Sequence, residues 1–333
     1  MWDLISEHTA SGITAKSYRT ESDQIDEDFA VAIFFGSYES RGLVAAECLK
    51  PNSCETSIII YFKETDDQGL RLRYDEELRQ RVGKCTKSEP IVIAGKSIMR
   101  IDDILKDILE KIPDNAFSRN RRWFIDTSVS PKPYFLSLMG YFRHKLFRPS
   151  FTLFNSTGHY EKNVNPALAF SFTEGFENYM LVPWFWGRPD PRLPWAYFFL
   201  LGFEGDRSYA TYDKFEPDFV RALISDPGYM PGYPEHARNR NRQFLEESCP
   251  GEIVYSDAGD AVETWITIDK AIAEMPSRTN VCLVPLGPKP HAIGAALRAL
   301  EDDLPSILYL MPKSYRVRDI PRGAYIWKYE IVL

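Results

Sequence analysis

The residues best suited to chemistry sit in short polar turns, each at the end of an apolar run. One turn, DTSVSPKP, carries Asp126, Thr127, Ser128, Ser130 and Lys132, with the lysine between Pro131 and Pro133. A second, GSYESR, carries Ser37, Tyr38, Glu39 and Arg41, and a third, NSTGHY, carries Asn155, Ser156, Thr157, His159 and Tyr160. Later in the chain come Glu204, Asp206 and Arg207, then Gly287 and Lys289, then Lys313, Ser314 and Tyr315. These types together suit an anion. Glycine and hydroxyls let phosphate oxygens approach the backbone, Lys and Arg supply countercharge, and a helix start offers free amides and a favourable dipole. Pro131 and Pro288 fix the backbone ahead of each lysine, while Pro133 and Pro290 suit a first helical turn. The expected ligand contacts are therefore Ser37, Arg41, Asp126, Ser128, Lys132, Arg207 and Lys289, around a small anion.

The same residues admit other readings. Glu39 or Asp126 as general base, with Lys132 stabilising developing negative charge, would make a nucleotide- or nucleoside-processing enzyme of hydrolase or glycosidase type. Asp126 or Ser128 could instead cap a helix. Glu39 and Arg41 could form a local ion pair, and the lysines could be solvated. The ARNRNR run at 237–242 reads as a basic helix face.

Composition narrows the field. A formal net charge of −7 argues against a polyanion spread over a broad surface, because such binding runs on many Lys and Arg contacts. No CxxC or other metal-ligand spacing links Cys48, Cys54, Cys85, Cys249 and Cys282, so they read as buried thiols of a reducing cytoplasm. There is no GxxxxGK[ST] loop, no GxGxxG after a first strand, no GxSxG elbow and no HExxH pair. No metal or cofactor is expected. The start, MWDLISEHTASG, has no basic region followed by an apolar core, and no apolar run is long enough for a membrane span. A cytoplasmic location follows as the expectation.

The elements that must position the turns come from an internal repeat. AVAIFFGSYESR from Ala30 and WAYFFLLGFEGDR from Trp195 share a strand, a glycine, a polar turn and an arginine. YDEELRQR at Tyr74 then matches YPEHARNR at Tyr233, the PKP triplets match at Lys132 and Lys289, and Pro149 and Tyr160 match Pro305 and Tyr315. The landmarks keep their order at a nearly constant separation. Strands are expected at 30–35, 56–62, 90–94, 122–126 and 150–155, and again at 195–201, 220–225, 252–256, 280–285 and 306–311. Helical spacing intervenes, as in IDDILKDILEKI and AVETWITIDKAIAEM. Strands alternating with helices imply a mainly parallel sheet covered on both faces. The fold class is α/β, with two tandem Rossmann-like domains at 29–160 and 195–333. Residues 1–28 read as an N-terminal arm. The Pro- and Trp-rich stretch 161–194 reads as a packed connector, and its aromatic surface leaves open a protein-interaction scaffold.

Asp126-Thr127-Ser128-Val129-Ser130-Pro131-Lys132 resembles a motif of the CRISPR-associated Rossmann-fold (CARF-like) sensor domains. That motif places an acid or Asn, any residue, Ser or Thr, three residues, then Arg or Lys after the fourth strand. The turn from Gly36 to Arg41 is similar to that family's other ligand-facing loop. The likeness covers roughly residues 30–160 and part of 195–333. The second half departs from it, with Leu283 and Pro285 where the acid and hydroxyl should stand and only Lys289 kept. The resemblance implies a cyclic-oligonucleotide sensor of prokaryotic antiviral defence, its ligand lying between two pseudo-symmetric halves. With no length left for a fused effector, it further implies a signal passed to a protein partner, or an enzyme that degrades the signal itself.

Overall fold

FAVAIFF, residues Phe29–Phe35 (β3), is buried along its whole length. A strand apolar on both faces must sit mid-sheet with helices above and below. In the computed structural model, which describes residues 1–62, 69–145, 149–160, 172–249 and 253–333, it does. β3 pairs in parallel with Cys54–Tyr61 (β4) on one side and Arg122–Asp126 (β6) on the other. Ile91–Ala94 (β5) extends the sheet beyond β4, and Ser150–Gly158 (β7) extends it beyond β6, both in parallel. Successive residues of β3 face opposite sides. Ala32 and Phe34 join a cluster with Leu43 and Val44, and with Leu78 and Val82 of the helix Leu70–Cys85 (α2), which follows the short helix Val44–Cys48 (α1). On the other side Phe35 meets Tyr134 edge-on, at 5.9 Å between ring centroids. Trp123 likewise meets Phe142 at 4.7 Å. Both partners belong to the helix Lys132–His144 (α4), which packs with Ile101–Leu109 (α3).

The second unit repeats this order. Trp195–Leu200 (β9) is central, Phe219–Ser225 (β10) and Ile253–Ser256 (β11) lie to one side, and Asn280–Pro285 (β12) and Ser306–Tyr315 (β13) to the other, all parallel. Phe199, Ala222 and Ile224 pack on Ala237 and Phe244, from the helices Tyr233–Arg240 (α6) and Arg242–Ser248 (α7), which follow Gly205–Phe215 (α5). Ala261–Ala273 (α8) and Lys289–Asp302 (α9) approach closely, because a Cβ on Gly294 would lie 2.6 Å from the Ala261 carbonyl. Burial of each such Phe or Leu stabilises the fold by about 1.5–3 kcal/mol. The chain therefore has two Rossmann-like α/β units. In each, the first strand is central, with strands two and three on one side and four and five on the other.

The antiparallel strands depart from the sequence expectation. Residues 1–28 are no loose arm: Asp3–Ala10 (β1) and Ile13–Thr20 (β2) form a hairpin about Ser11 and Gly12, whose φ values of 51° and 80° suit a two-residue turn. The last strand, Arg322–Val332 (β14), lies between β2 and β7 in the first sheet. Its run Ile326–Trp327–Lys328–Tyr329 is buried, and a strand so covered needs a neighbour on each side. The units are accordingly Met1–Tyr160 with Val317–Leu333, and Glu161–Arg316, so the end of the expected 195–333 domain belongs to the first unit. From the connector, Thr173–Leu181 (β8) runs antiparallel to β13 at the edge of the second sheet. Each fifth parallel strand thus gains its antiparallel neighbour from the stretch that follows the other one. Residues 161–171 of the connector, and Glu252 of the expected strand 252–256, lie outside the described residues.

Candidate functional site

In an open parallel sheet the crevice lies beyond the carboxyl ends, where the strand order reverses. In the first unit that point falls between β3 and β6. Gly36 follows β3 and donates its N–H to the Ile60 carbonyl at 2.9 Å, so close to Tyr61 and Asp75 that a side chain there would collide. Beyond it, the Ser37 hydroxyl accepts the Glu39 N–H at 3.2 Å. Glu39 Oε2 accepts from Arg41 Nε at 2.5 Å, and Arg41 Nη1 donates to the Ser156 carbonyl at 3.1 Å. Arg41 keeps only 8% of its surface exposed, so this ion pair is poorly screened.

The turn after β6 is bound into the same cluster. Asp126 Oδ1 accepts the Ser128 N–H at 2.9 Å, and the Ser128 hydroxyl accepts the Ser156 N–H at 2.8 Å. Thr127 donates from both its N–H and its hydroxyl to the Phe154 carbonyl, each at 2.8 Å. Asp126 and Ser128 are both fully buried. They shape the turn and dock it on β7 rather than standing open to a ligand, and neither caps α4, which has no side-chain cap. Lys132, half-buried, opens that helix behind Pro131. Its uncapped first turn keeps amides that favour negative charge.

A segment that sequence reasoning missed is bound to the turn after β3. Residues 317–322, between the second unit and β14, place the Asp319 carboxylate on the turn after β3. Asp319 Oδ1 accepts the Ser40 N–H at 2.7 Å, and Oδ2 accepts the Tyr74 hydroxyl at 2.9 Å. Arg41 N donates to the Ile320 carbonyl at 3.4 Å and His159 N to the Pro321 carbonyl at 2.9 Å. Burial, and then the hydrogen bond to Asp319, raise the Tyr74 phenol above its ordinary value. Burial also raises the Tyr160 phenol, a rise that the Arg41 charge opposes and the Glu39 charge increases. Both phenols stay neutral at physiological pH. The Asp-Ile-Pro run was visible in the sequence, but nothing local tied it to a turn nearly the whole chain away.

The second unit keeps the arginine and lysine but arranges them differently. Arg207 Nη1 lies 3.4 Å from Glu204 Oε2, and its Nη2 donates to the Thr173 hydroxyl at 2.5 Å. Glu204 Oε1 also accepts the Thr173 N–H at 3.0 Å. Lys289 opens α9 behind Pro288, again without a side-chain cap, whereas Asp260 closes the start of α8. Between β9 and β12, however, backbone meets backbone. A Cβ on Gly202 would lie 2.7 Å from the Leu286 carbonyl, and one on Gly287 would lie 2.5 Å from that of Leu201. At the strand-reversal point of this unit the two turns lie in close backbone contact. A cleft of about 390 Å³ lies at the end of β10, lined by residues between Asp226 and Arg238. The expected contacts therefore fall into two sets, with Ser37, Glu39, Arg41, Asp126, Ser128 and Lys132 in the first unit and Arg207 and Lys289 in the second.

Fold and turns together define the class, a protein of two Rossmann-like α/β units with polar turns at the strand ends. No family model and no curated protein matches the chain. Among solved structures, the cytoplasmic domain of a prokaryotic cation chloride cotransporter is similar over 86% of this chain and 96% of its own, at 8% identity and a TM-score of 0.23. A likeness at that score carries no argument. Among the described residues no helix is long and apolar enough to cross a membrane, and no cluster of His, Cys, Asp and Glu forms a metal site.

Proposed function

We propose that the first unit is a sensor for a small nucleotide-like anion, bound at the carboxyl ends of β3 and β6, and that it signals to a protein partner. The observation that carries this reading is the Asp319 carboxylate held by the Ser40 N–H and the Tyr74 hydroxyl. The turn after β3 already accepts an anion, supplied by the chain itself. A phosphate that displaced Asp319 would meet the same two donors, and the turn after β6 adds Lys132 and the uncapped start of α4 to the same sheet end. Arg41, locked to Glu39 and Ser156, shapes the turn. Asp126 and Ser128 position that turn from beneath.

Displacing Asp319 would also release residues 317–322, which continue into β14. That is a change a partner can read, since a ligand shifts a conformational equilibrium by its differential affinity for the two states. The resemblance of Asp126–Lys132 to the CARF-like motif supports a cyclic oligonucleotide as the ligand and antiviral defence as the setting.

Isothermal titration with linear and cyclic nucleotides tests the reading. Lys132→Ala is expected to weaken binding at least tenfold and leave the melting temperature nearly unchanged. Unaltered affinity with a large loss of stability would overturn it.

A further inference from the structure

The cleft at the end of β10 serves no part of the anion site, and its lining has a different chemistry. Its walls are one continuous segment, DPGYMPGYPE, with Arg238 of α6. Proline and glycine pack this backbone tightly: a Cβ on Gly228 would lie 2.9 Å from that of Tyr233 and 3.0 Å from Pro234 Cδ. Gly232 holds a φ of 83° ahead of α6, a conformation that favours glycine. The segment is also pinned to the sheet, by Asp226 N donating to the Ser256 carbonyl at 2.8 Å and Ala258 N to the Pro227 carbonyl at 2.9 Å. A pocket with so little backbone freedom is formed before its ligand arrives, which lowers the ordering cost of binding.

The charges in the lining are unequal. Arg238 donates from Nη2 to the Tyr255 hydroxyl at 3.1 Å with its guanidinium 5.5 Å from the centre of that ring, a neutral partner that leaves its charge in place, so the lining holds two carboxylates and one guanidinium. The carboxylates of Asp226 and Glu235, both exposed to solvent, have no hydrogen bond or ion pair from any described residue. Tyr229, Met230, Pro227, Pro231 and Pro234 supply the apolar remainder. Uncommitted carboxylates beside an aromatic ring and a thioether suit a positive group on a short apolar body, through charge-assisted hydrogen bonds and cation–π attraction. The volume lies at the small end of ligand pockets, room for a compact molecule rather than a large one.

We propose that this cleft is a binding site for a small organic cation, an ammonium or guanidinium carried on a short aliphatic chain. The site is independent of the anion site in the first unit. Titration of the whole chain with agmatine and with spermidine tests it, with adenosine monophosphate as an anionic comparison. Both cations are expected to bind. Asp226→Asn combined with Glu235→Gln should weaken that binding at least tenfold, and Lys132→Ala should leave it unchanged. Equal binding by the carboxylate variant, or no binding at millimolar cation, would overturn the proposal. So would adenosine monophosphate binding in place of the cations and lost on Arg238→Ala. Circular dichroism of the double variant separates a lost site from a lost fold.

Discussion

If Asp319 stands in for the ligand's anion, removing it should strengthen ligand binding rather than weaken it. The carboxylate accepts two hydrogen bonds, from Ser40 N at 2.7 Å and from the Tyr74 hydroxyl at 2.9 Å. Hydrogen bonds to charged groups contribute about 1.5–3 kcal/mol each when buried, and Asp319 is exposed, so water competes for both. A combined hold of about 1–2 kcal/mol is reasonable. A ligand that must first displace this group binds more weakly by the same amount, because its apparent affinity scales with the open fraction. At 1.4 kcal/mol per tenfold, Asp319→Ala should raise nucleotide affinity by about 5- to 30-fold. It should also cost about 1–2 kcal/mol of stability, read as a lower urea midpoint with an unchanged slope. Asp319→Asn keeps one acceptor for Ser40 and should fall between wild type and Ala. Titration calorimetry on the three proteins decides. Weaker binding by Asp319→Ala, or unaltered affinity alongside the stability loss, would refute the displacement argument and leave Asp319 a purely structural group.

Other outcomes follow from the same structure. Lys328 Nζ lies 2.8 Å from both Glu27 and Glu330, its side chain 7% exposed, so Lys328→Ala should cost about 3–5 kcal/mol in chemical denaturation, and Lys328→Met less. Burial lowers the Lys328 pKa, but the hydrogen bonds and charges of Glu27 and Glu330 together outweigh it and raise it, so its stabilisation is fully present below its ordinary value of 10.5 and fades as pH rises through the raised folded value. Glu27, lowered mainly by its bond to Lys328 against burial, contributes above its ordinary 4.5 and loses that contribution as pH falls through the lowered folded value. Stability curves across those windows should flatten in Lys328→Met. Gly287→Ala drives a Cβ to 2.5 Å from the Leu201 carbonyl, and thermal unfolding should show a loss of about 2–3 kcal/mol. Glu39→Gln leaves Arg41 without its charged partner and should weaken nucleotide binding with no turnover by either protein. A nucleotide consumed by wild type and spared by the variant would favour Glu39 as a general base instead.

The ten parallel strands were legible because each is a continuous apolar run ending at glycine, proline or a polar turn, as FAVAIFF before Gly36 shows. β1, β8 and β14 were not, nor was β2, whose place depends on its antiparallel pairing with β1 and β14. β1 and β8 are largely exposed, TEGFENYML almost throughout, so no apolar period marks them. β14 takes its place from β2 and β7, far away in sequence, and no local pattern specifies that pairing. The site divides the same way. The Glu39–Arg41 pair spans two residues and was readable as an ion pair. The burial of Asp126 and Ser128 depends on an N–H of Ser156 from another strand, and the segment bound to the turn after β3 depends on Asp319. Residue types announced an affinity for anions, while the fold decided which of them face inward.

The central claim, an intact nucleotide-like anion bound at the turns after β3 and β6, is tested most directly by thermal unfolding against linear and cyclic nucleotides, followed by mass spectrometry of each mixture. The account expects one nucleotide to stabilise the protein, by about 2.7 kcal/mol at a hundredfold excess over its dissociation constant. It expects that nucleotide to be recovered unchanged, and the stabilisation to disappear in Lys132→Ala. No stabilisation by any nucleotide, or a nucleotide consumed during the measurement, would contradict it.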